Sequence, residues 1–261
     1  MARDSTGYTI GFAVAVCVIC GIGVAGAAVA LGPRQAENKV LDQQKQVLLV
    51  AGLMQPGQQV SPDEVKALFA KNIRREVITL KTGAEDKAVK AETFDQRRAQ
   101  KDPATSTKAP DNAAKVFRLP NNALVYHVLK DGKTDMLILP IEGYGLWSVL
   151  YGYLAVDKDA NTIKGITFYA HAETPGLGGE VDNPKWKSLW PGRKIYDDKD
   201  QPALTVIKDH AGDPKQDPHH VDGLSGATIT SNGVTNLMKF WFGKDGFGPY
   251  MAKFKASQGR S

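Results

Sequence analysis

Cysteine is almost absent from this chain. The two that occur, Cys17 and Cys20, both fall in one uncharged apolar run, so the remainder holds no disulfide and no thiolate metal centre. A second apolar run of membrane-spanning length is also missing, which excludes a multi-span channel built from this chain alone. No G-x-G-x-x-G lies between a strand and a helix of a parallel unit, and nicotinamide binding therefore has no local support. Charge of one sign is not concentrated anywhere: the net value is +5, the lysines are interleaved with acids and not gathered with aromatics, and nucleic acid is excluded as a partner.

What is present begins with residues 8–31, which carry no charge from Tyr8 to Leu31. As a helix they measure about 36 Å against a hydrocarbon core of roughly 30 Å, enough to cross a membrane with some tilt. Ala28-Val29-Ala30 resembles a small-x-small cleavage site, but the run exceeds the roughly 7–15-residue core of a signal peptide, so a retained anchor is expected. Arg3 and the terminal amine on one side face Arg34, Lys39 and Lys45 on the other, and charge leaves the orientation open. The small-residue face of Gly21, Gly23, Ala25, Gly26 and Ala27 suits close packing against neighbouring helices. Cys17 and Cys20 share a helix face, as cluster ligands with a neighbouring membrane protein or, more plainly, as two small apolar residues; C-x-x-C alone is a weak signal.

Gly32-Pro33 is expected to end the anchor, residues 35–54 to form a second helix broken by Gly57, and Ser61-Pro62-Asp63-Glu64 to open a third with a capping box. A strand is expected from Glu76 to Leu80. From Gly83 to Lys115 the composition turns polar and reads as a surface insertion without an assigned function. Val116-Phe117, residues 123–129, 136–140, 150–156 and 163–170 read as strands, with Asp131-Gly132 a hairpin signal. The fold expected is α+β: a single N-terminal transmembrane helix followed by a largely antiparallel sheet domain with flanking helices.

Three glycine-bearing segments lie between the strands: Glu142 to Trp147, His171 to Gly179, and Asp222 to Ser231. Each alone is compatible with turn chemistry, but together they can converge on one planar, phosphate-bearing ligand. The third precedes Val234, Leu237, Met238 and Trp241, spaced as one buried helix face, with Thr230 or Ser231 as the expected N-cap. A small-residue loop feeding a helix N-terminus favours an anion, and Thr228 stands at that mouth. Gly223-Leu224-Ser225 begins like a nucleophile elbow, but G-x-S-x-G fails at Ala227. His210, Asp213, Asp217, His219 and His220 lack a helical i, i+4 pair and read as a solvated loop, not a metal site.

Asp222-Gly223-Leu224-Ser225-Gly226-Ala227-Thr228 resembles the D-x-x-S/T-G-A-T signal at which a flavin transferase joins FMN to a threonine. This segment, the His171 to Gly178 loop, the Leu41 to Leu53 helix and the single span together resemble the C-subunit family of the sodium-translocating NADH:quinone oxidoreductase. The resemblance implies a membrane-anchored flavoprotein with FMN bound covalently through its phosphate to Thr228, relaying electrons as NADH is oxidised, ubiquinone reduced and sodium exported. It also implies a bacterial inner-membrane location with a periplasmic soluble domain, other membrane subunits and membrane lipid as partners, and a flavin transferase for maturation. Ser225, Gly226 and Ala227 are then expected around the phosphate, with Asp222 a recognition or metal-binding contact during transfer. His171, Glu173, Thr174, Gly176 and Leu177 are expected near the isoalloxazine ring, as are Tyr144 and Trp147, for which ordinary core is the plainer reading. The domains expected are a 1–34 anchor segment, a 35–82 helical connector, an 83–115 polar insertion and a 116–261 FMN-binding domain. The alternatives are the homologous G subunit of the ferredoxin:NAD oxidoreductase, a membrane-anchored binding protein without a redox role, and a membrane-bound hydrolase using Ser225.

Overall fold

The computed structural model describes residues 5–258. Two compact units are present, one reaching to Gln44 and the other beginning at Lys45. The first is the greater part of α1 (Thr6–Val50), a 45-residue helix. Its apolar side chains, Ile10, Phe12, Ile19, Ile22 and Val24 among them, are exposed. Among the described residues it is the one helix long and apolar enough to cross a membrane. Arg3, weighed above for orientation, lies outside the described residues.

Gly32-Pro33 does not end the anchor helix, contrary to expectation, because Pro33 sits inside α1. A proline removes one backbone hydrogen bond, here the one due to the Val29 carbonyl, and the good helix formers that follow (Gln35, Ala36, Glu37) carry the helix on. Nor does Gly57 terminate it. Gly52, at φ +69°, closes α1 with a left-handed cap in which the Gly52 N–H donates to the Leu49 carbonyl at 3.0 Å and the Leu53 N–H to the Leu48 carbonyl at 2.9 Å.

The second unit is built on six antiparallel strands in the order β2-β1-β5-β6-β7-β8. These are β1 (Ile73–Thr79), β2 (Ala84–Glu85), β5 (Asn122–Lys130), β6 (Lys133–Tyr144), β7 (Val149–Asp157) and β8 (Ile163–Ala170). The Asp131-Gly132 signal holds: Lys130 pairs with Lys133, and the two turn residues sit at φ +52° and +75°, the primed turn whose twist matches the strands. The Ser61 capping box also holds, opening α2 (Pro62–Asn72).

Alternation along the strands gives the sheet two buried faces. On one, Tyr126, Tyr153 and Tyr169 stack edge and face in succession, with Phe69 of α2 on Tyr126. The other holds the main core, Val125, Leu137, Leu139, Leu154 and Phe168 meeting α5 (Thr228–Trp241) and α6 (Gly248–Gln258). The expected stripe of Val234, Leu237, Met238 and Trp241 is buried in α5, and full burial contributes about 1.5–3 kcal/mol for each such side chain.

Residues 83–115 are more ordered than their composition suggests, holding β2, α3 (Gln96–Lys101) and β3 (Ser106–Lys108). Strand β3 pairs with β4 (Arg118–Pro120), and Val116-Phe117 falls just outside that strand. Polar side chains fasten α3. The Arg97 guanidinium lies 3.6 Å above the Tyr151 ring, Gln96 accepts from the Leu124 N–H at 2.8 Å, and Gln100 donates to the Arg118 carbonyl and the Glu142 carboxylate. The remaining elements are a 3₁₀ helix (Gly178–Asp182), α4 (Pro184–Lys187) and a parallel pair, β9 (Thr205–Ile207) and β10 (His220–Asp222).

Candidate functional site

The three glycine-bearing segments meet around one buried carboxylate. Strand β6 runs to Tyr144, so the first segment is strand at its start and turn only from Gly145 to Ser148, where the Gly145 N–H donates to the Ser148 carbonyl at 2.8 Å. Into that turn reaches Glu173, 5% exposed. Its Oε1 accepts from the backbone N–H of Trp147 at 2.9 Å, Ser148 at 3.0 Å and Leu146 at 3.2 Å. Its Oε2 accepts from the Thr230 hydroxyl at 2.7 Å. One side chain thus ties the β6–β7 turn and its own loop to the first turn of α5. Burial alone raises the Glu173 carboxyl, but the Thr230 hydroxyl and the three amides outweigh it and hold the group below the usual carboxylate range.

Two glycines make this approach possible. A Cβ on Gly145 would lie 2.7 Å from Glu173 Oε1, and one on Gly178 2.6 Å from both Glu173 Oε2 and Thr230 Oγ1. The Leu177 side chain comes so near the third segment that a Cβ on Gly226 would lie 3.0 Å from it.

The N-cap of α5 differs from expectation. Ala227 occupies it, without a side-chain cap, because both expected hydroxyls are engaged elsewhere: Thr230 on Glu173, and Ser231 accepting from the Leu224 N–H at 3.0 Å. Gly226, at φ +70°, turns the chain into the helix. Thr228 is therefore the first helical residue, exposed. The first N–H groups of an α-helix have no partner within it, and among the described residues no side chain caps them.

Of the other residues singled out from the sequence, Ser225, Gly226, Thr174, Gly176 and Leu177 are exposed and Ala227 is buried. Trp147 is 65% exposed, so ordinary core is not its role. Tyr144 is half-buried, its hydroxyl donating to the Trp147 carbonyl at 3.4 Å and the Lys115 ammonium 5.3 Å from its ring centre. His171 places Nε2 2.8 Å from Asp182 and accepts at Nδ1 from the Glu173 N–H at 3.2 Å. Asp222 is engaged by a different loop, accepting from His210 Nδ1 at 2.7 Å and the Ala211 N–H at 2.8 Å. Burial raises its carboxyl, and these partners more than reverse that. Ser225 makes no hydrogen bond to a histidine among the described residues, which leaves an elbow nucleophile without a base. Among the described residues no three His, Cys, Asp or Glu side chains could hold a metal. Cys17 and Cys20 are exposed on α1, and His220 pairs with Asp217.

Sequence reasoning passed over Ser148, whose hydroxyl accepts from the Ala172 N–H at 2.7 Å, and Asp182, and it set His210 aside in a solvated loop. Only Thr230, two residues beyond Thr228, stood close enough to a recognised motif to be found. A cavity of about 980 Å³ lined by Tyr196, Phe240, Phe242 and Met251 lies along the C-terminal half of α5. It is roughly 12–18 Å along the helix from Thr228 and plays no part in this convergence.

A family described as FMN-binding domain matches residues 145–243, from the Glu173-bound turn through α5. The chain is 48% identical over 260 residues to the C subunit of the Na(+)-translocating NADH-quinone reductase of Pseudomonas aeruginosa, covering 98% of each. It is 45% identical to the counterpart in Yersinia pestis over 97% of this chain and 94% of that one. A crystal structure of Shewanella oneidensis NqrC superposes with a TM-score of 0.76 at 39% identity, covering 85% of this chain and 99% of that one. That of the same reductase's C subunit from Parabacteroides distasonis gives 0.65 at 27% identity, covering 85% and 96%.

Proposed function

Given that the chain belongs to the C-subunit family of the Na(+)-translocating NADH-quinone reductase, we propose that it holds FMN joined through its phosphate to the Thr228 hydroxyl and relays electrons within a membrane complex that oxidises NADH, reduces ubiquinone and exports sodium. The observation that carries this reading is the uncapped start of α5: an exposed threonine as the first helical residue, with free backbone N–H groups beside it and no side chain of its own competing for them. A phosphate dianion is favoured at such a terminus by about 1 kcal/mol.

FMN held there supplies one-electron chemistry. The chain's own residues bind, orient and shield. Gly226 and Ala227 leave the Thr228 hydroxyl sterically open, and Ser225, exposed beside them, offers a further donor. Leu177 and Trp147 present exposed apolar surface next to the same loop system, suited to a planar ring. Glu173 works one layer behind, holding the turn that carries Leu146 and Trp147 against α5. Anchoring by α1, a periplasmic face for the second unit, maturation by a flavin transferase and contacts with membrane lipid and the other subunits complete the reading. Nucleotide and quinone are assigned to other subunits.

The test is direct. The full chain coexpressed with a flavin transferase is expected to gain the mass of one FMN residue and to give a fluorescent band that survives SDS, and Thr228→Ala is expected to lose both. A wild-type chain without added mass, or a fluorescent Thr228→Ala band, refutes the assignment.

A further inference from the structure

Residues 208–219 join β9 to β10, and the chain leaves Ile207 only to return at once beside its register partner, Asp222. Both carboxylate oxygens of Asp222 are taken by this connection, Oδ2 by His210 Nδ1 at 2.7 Å and Oδ1 by the Ala211 N–H at 2.8 Å. The Asp222 backbone carbonyl accepts from the Trp186 indole N–H at 2.8 Å. Gly223 is pressed so close that a Cβ there would lie 2.5 Å from the Ile207 carbonyl. The far end of the connection is pinned independently. Asp217 accepts from the Gly212 N–H at 3.3 Å and meets His220 Nδ1 at 2.6 Å, while Arg193 donates to its backbone carbonyl at 2.5 Å.

His210 differs from every other part of this frame because its side chain is 98% exposed. Among the described residues its one hydrogen bond is to Asp222. Asp209 and Arg193 are the other charged groups acting on this pair, and the ion pair holds His210 above the usual imidazole value and Asp222 below the usual carboxylate one. We propose that His210 is a positioning residue for modification of Thr228. On this view Asp222 serves the transferase through its grip on the His210–Ala211 loop, and its oxygens do not meet the incoming phosphate.

The inference rests on the flavin reading above. In that reaction the Thr228 hydroxyl gives its proton to a base of the transferase and its oxygen bonds to phosphorus of a flavin-bearing pyrophosphate donor. The pyrophosphate bond breaks, and the nucleoside monophosphate leaves. No electron is exchanged. A loop that is ordered for only part of the time lowers the fraction of molecules presenting the docking surface, and apparent affinity falls by that fraction while the bound complex reacts as before.

The experiment uses the full chain purified in detergent without prior flavin, a purified flavin transferase and its flavin donor. Initial rates of flavin incorporation are measured against concentration of the chain. His210→Ala is expected to raise KM by about twofold to fivefold with kcat unchanged. His210→Asn, whose side-chain amide nitrogen stands where Nδ1 stood, is expected to restore the wild-type KM. Asp222→Asn combined with His210→Ala is expected to be no worse than Asp222→Asn alone. His210→Ala behaving as wild type while Asp222→Asn is lost, or failure of His210→Asn to rescue, overturns the proposal. The His210 pair stays informative even if Asp222→Asn fails to fold. Absence of incorporation in the wild-type chain instead overturns the flavin reading itself.

Discussion

Replacing Glu173 separates two explanations of the convergence at its carboxylate, a need for hydrogen-bond acceptors and a need for charge. In Glu173→Ala the amides of Leu146, Trp147 and Ser148 and the Thr230 hydroxyl lose their acceptor together. An unmet donor costs about 1–3 kcal/mol when water is excluded. Leu146 and Trp147 are exposed enough for water to substitute in part, so the low end applies, and for the three amides the sum is about 3 kcal/mol. Glu173→Gln keeps an oxygen for the three amides and turns an N–H₂ toward Thr230, whose hydroxyl can reverse its role and accept. Only the charge assistance is then lost, about 1 kcal/mol. Hydrogen exchange at residues 146–148 reads the difference. Protection is expected to fall about a hundredfold in the alanine variant and about fivefold in the glutamine variant. Equal protection in the wild type and Glu173→Ala would refute the account of Glu173 as the knot of the site. Equal losses in both variants would show that charge, not the acceptor count, holds the turn.

Two further predictions concern the supports of the site. Gly233→Ala drives a Cβ into the Tyr144 carbonyl, so α5 must back away from β6; a cost of about 2–3 kcal/mol is expected to lower Tm by roughly 5–10 °C, and an unchanged Tm would sink the close-approach argument. Between β1 and β5 Glu76 Oε2 lies 2.9 Å from His127 Nε2, the histidine buried and the carboxylate half-buried. The His127 bond, acting against burial, holds the Glu76 carboxyl below its ordinary value of 4.5. Because the folded value is the lower one, this contribution is complete above that pH and vanishes as pH falls through the folded value. The stability gap between wild type and Glu76→Gln is therefore expected to close as the pH falls below about 5; thermal unfolding in acid solution checks it, and a gap that widens there contradicts the sign.

Legibility from sequence followed the range of the contacts involved. Asp131-Gly132 and Ser61 to Glu64 were readable because their chemistry closes within four residues. The stripe on α5 was readable because burial imposes a period. Gly52 was passed over in favour of Gly57 because both suit a helix end, and what selects Gly52 is the burial of Val47, Leu48 and Val50 just before it. The α3 segment misled through composition, since it is held by Arg97, Gln96 and Gln100 reaching partners distant in the chain, and polar residues used as anchors look the same in sequence as polar residues in water. Thr228 was singled out because its motif is contiguous. The role of Glu173 was not, because its donors lie 25 to 57 positions away and three of them are backbone amides, which leave no mark on residue identity.

The saturation of Glu173 bears on how fast an electron can come and go. Passing charge through any site costs the work of turning nearby dipoles to suit the new charge state, and loose amides and water turn most. Here the dipoles of residues 146–148 and of Thr230 are already spoken for by a fixed carboxylate packed against Gly145 and Gly178. They cannot swing to follow a charge arriving beside them, and preorganised dipoles of this kind need no reorganisation at the moment of reaction. Under the function proposed above, the rigidity that fixes the shape of the loops would also make this corner of the fold a low-inertia place for charge to stop briefly and move on.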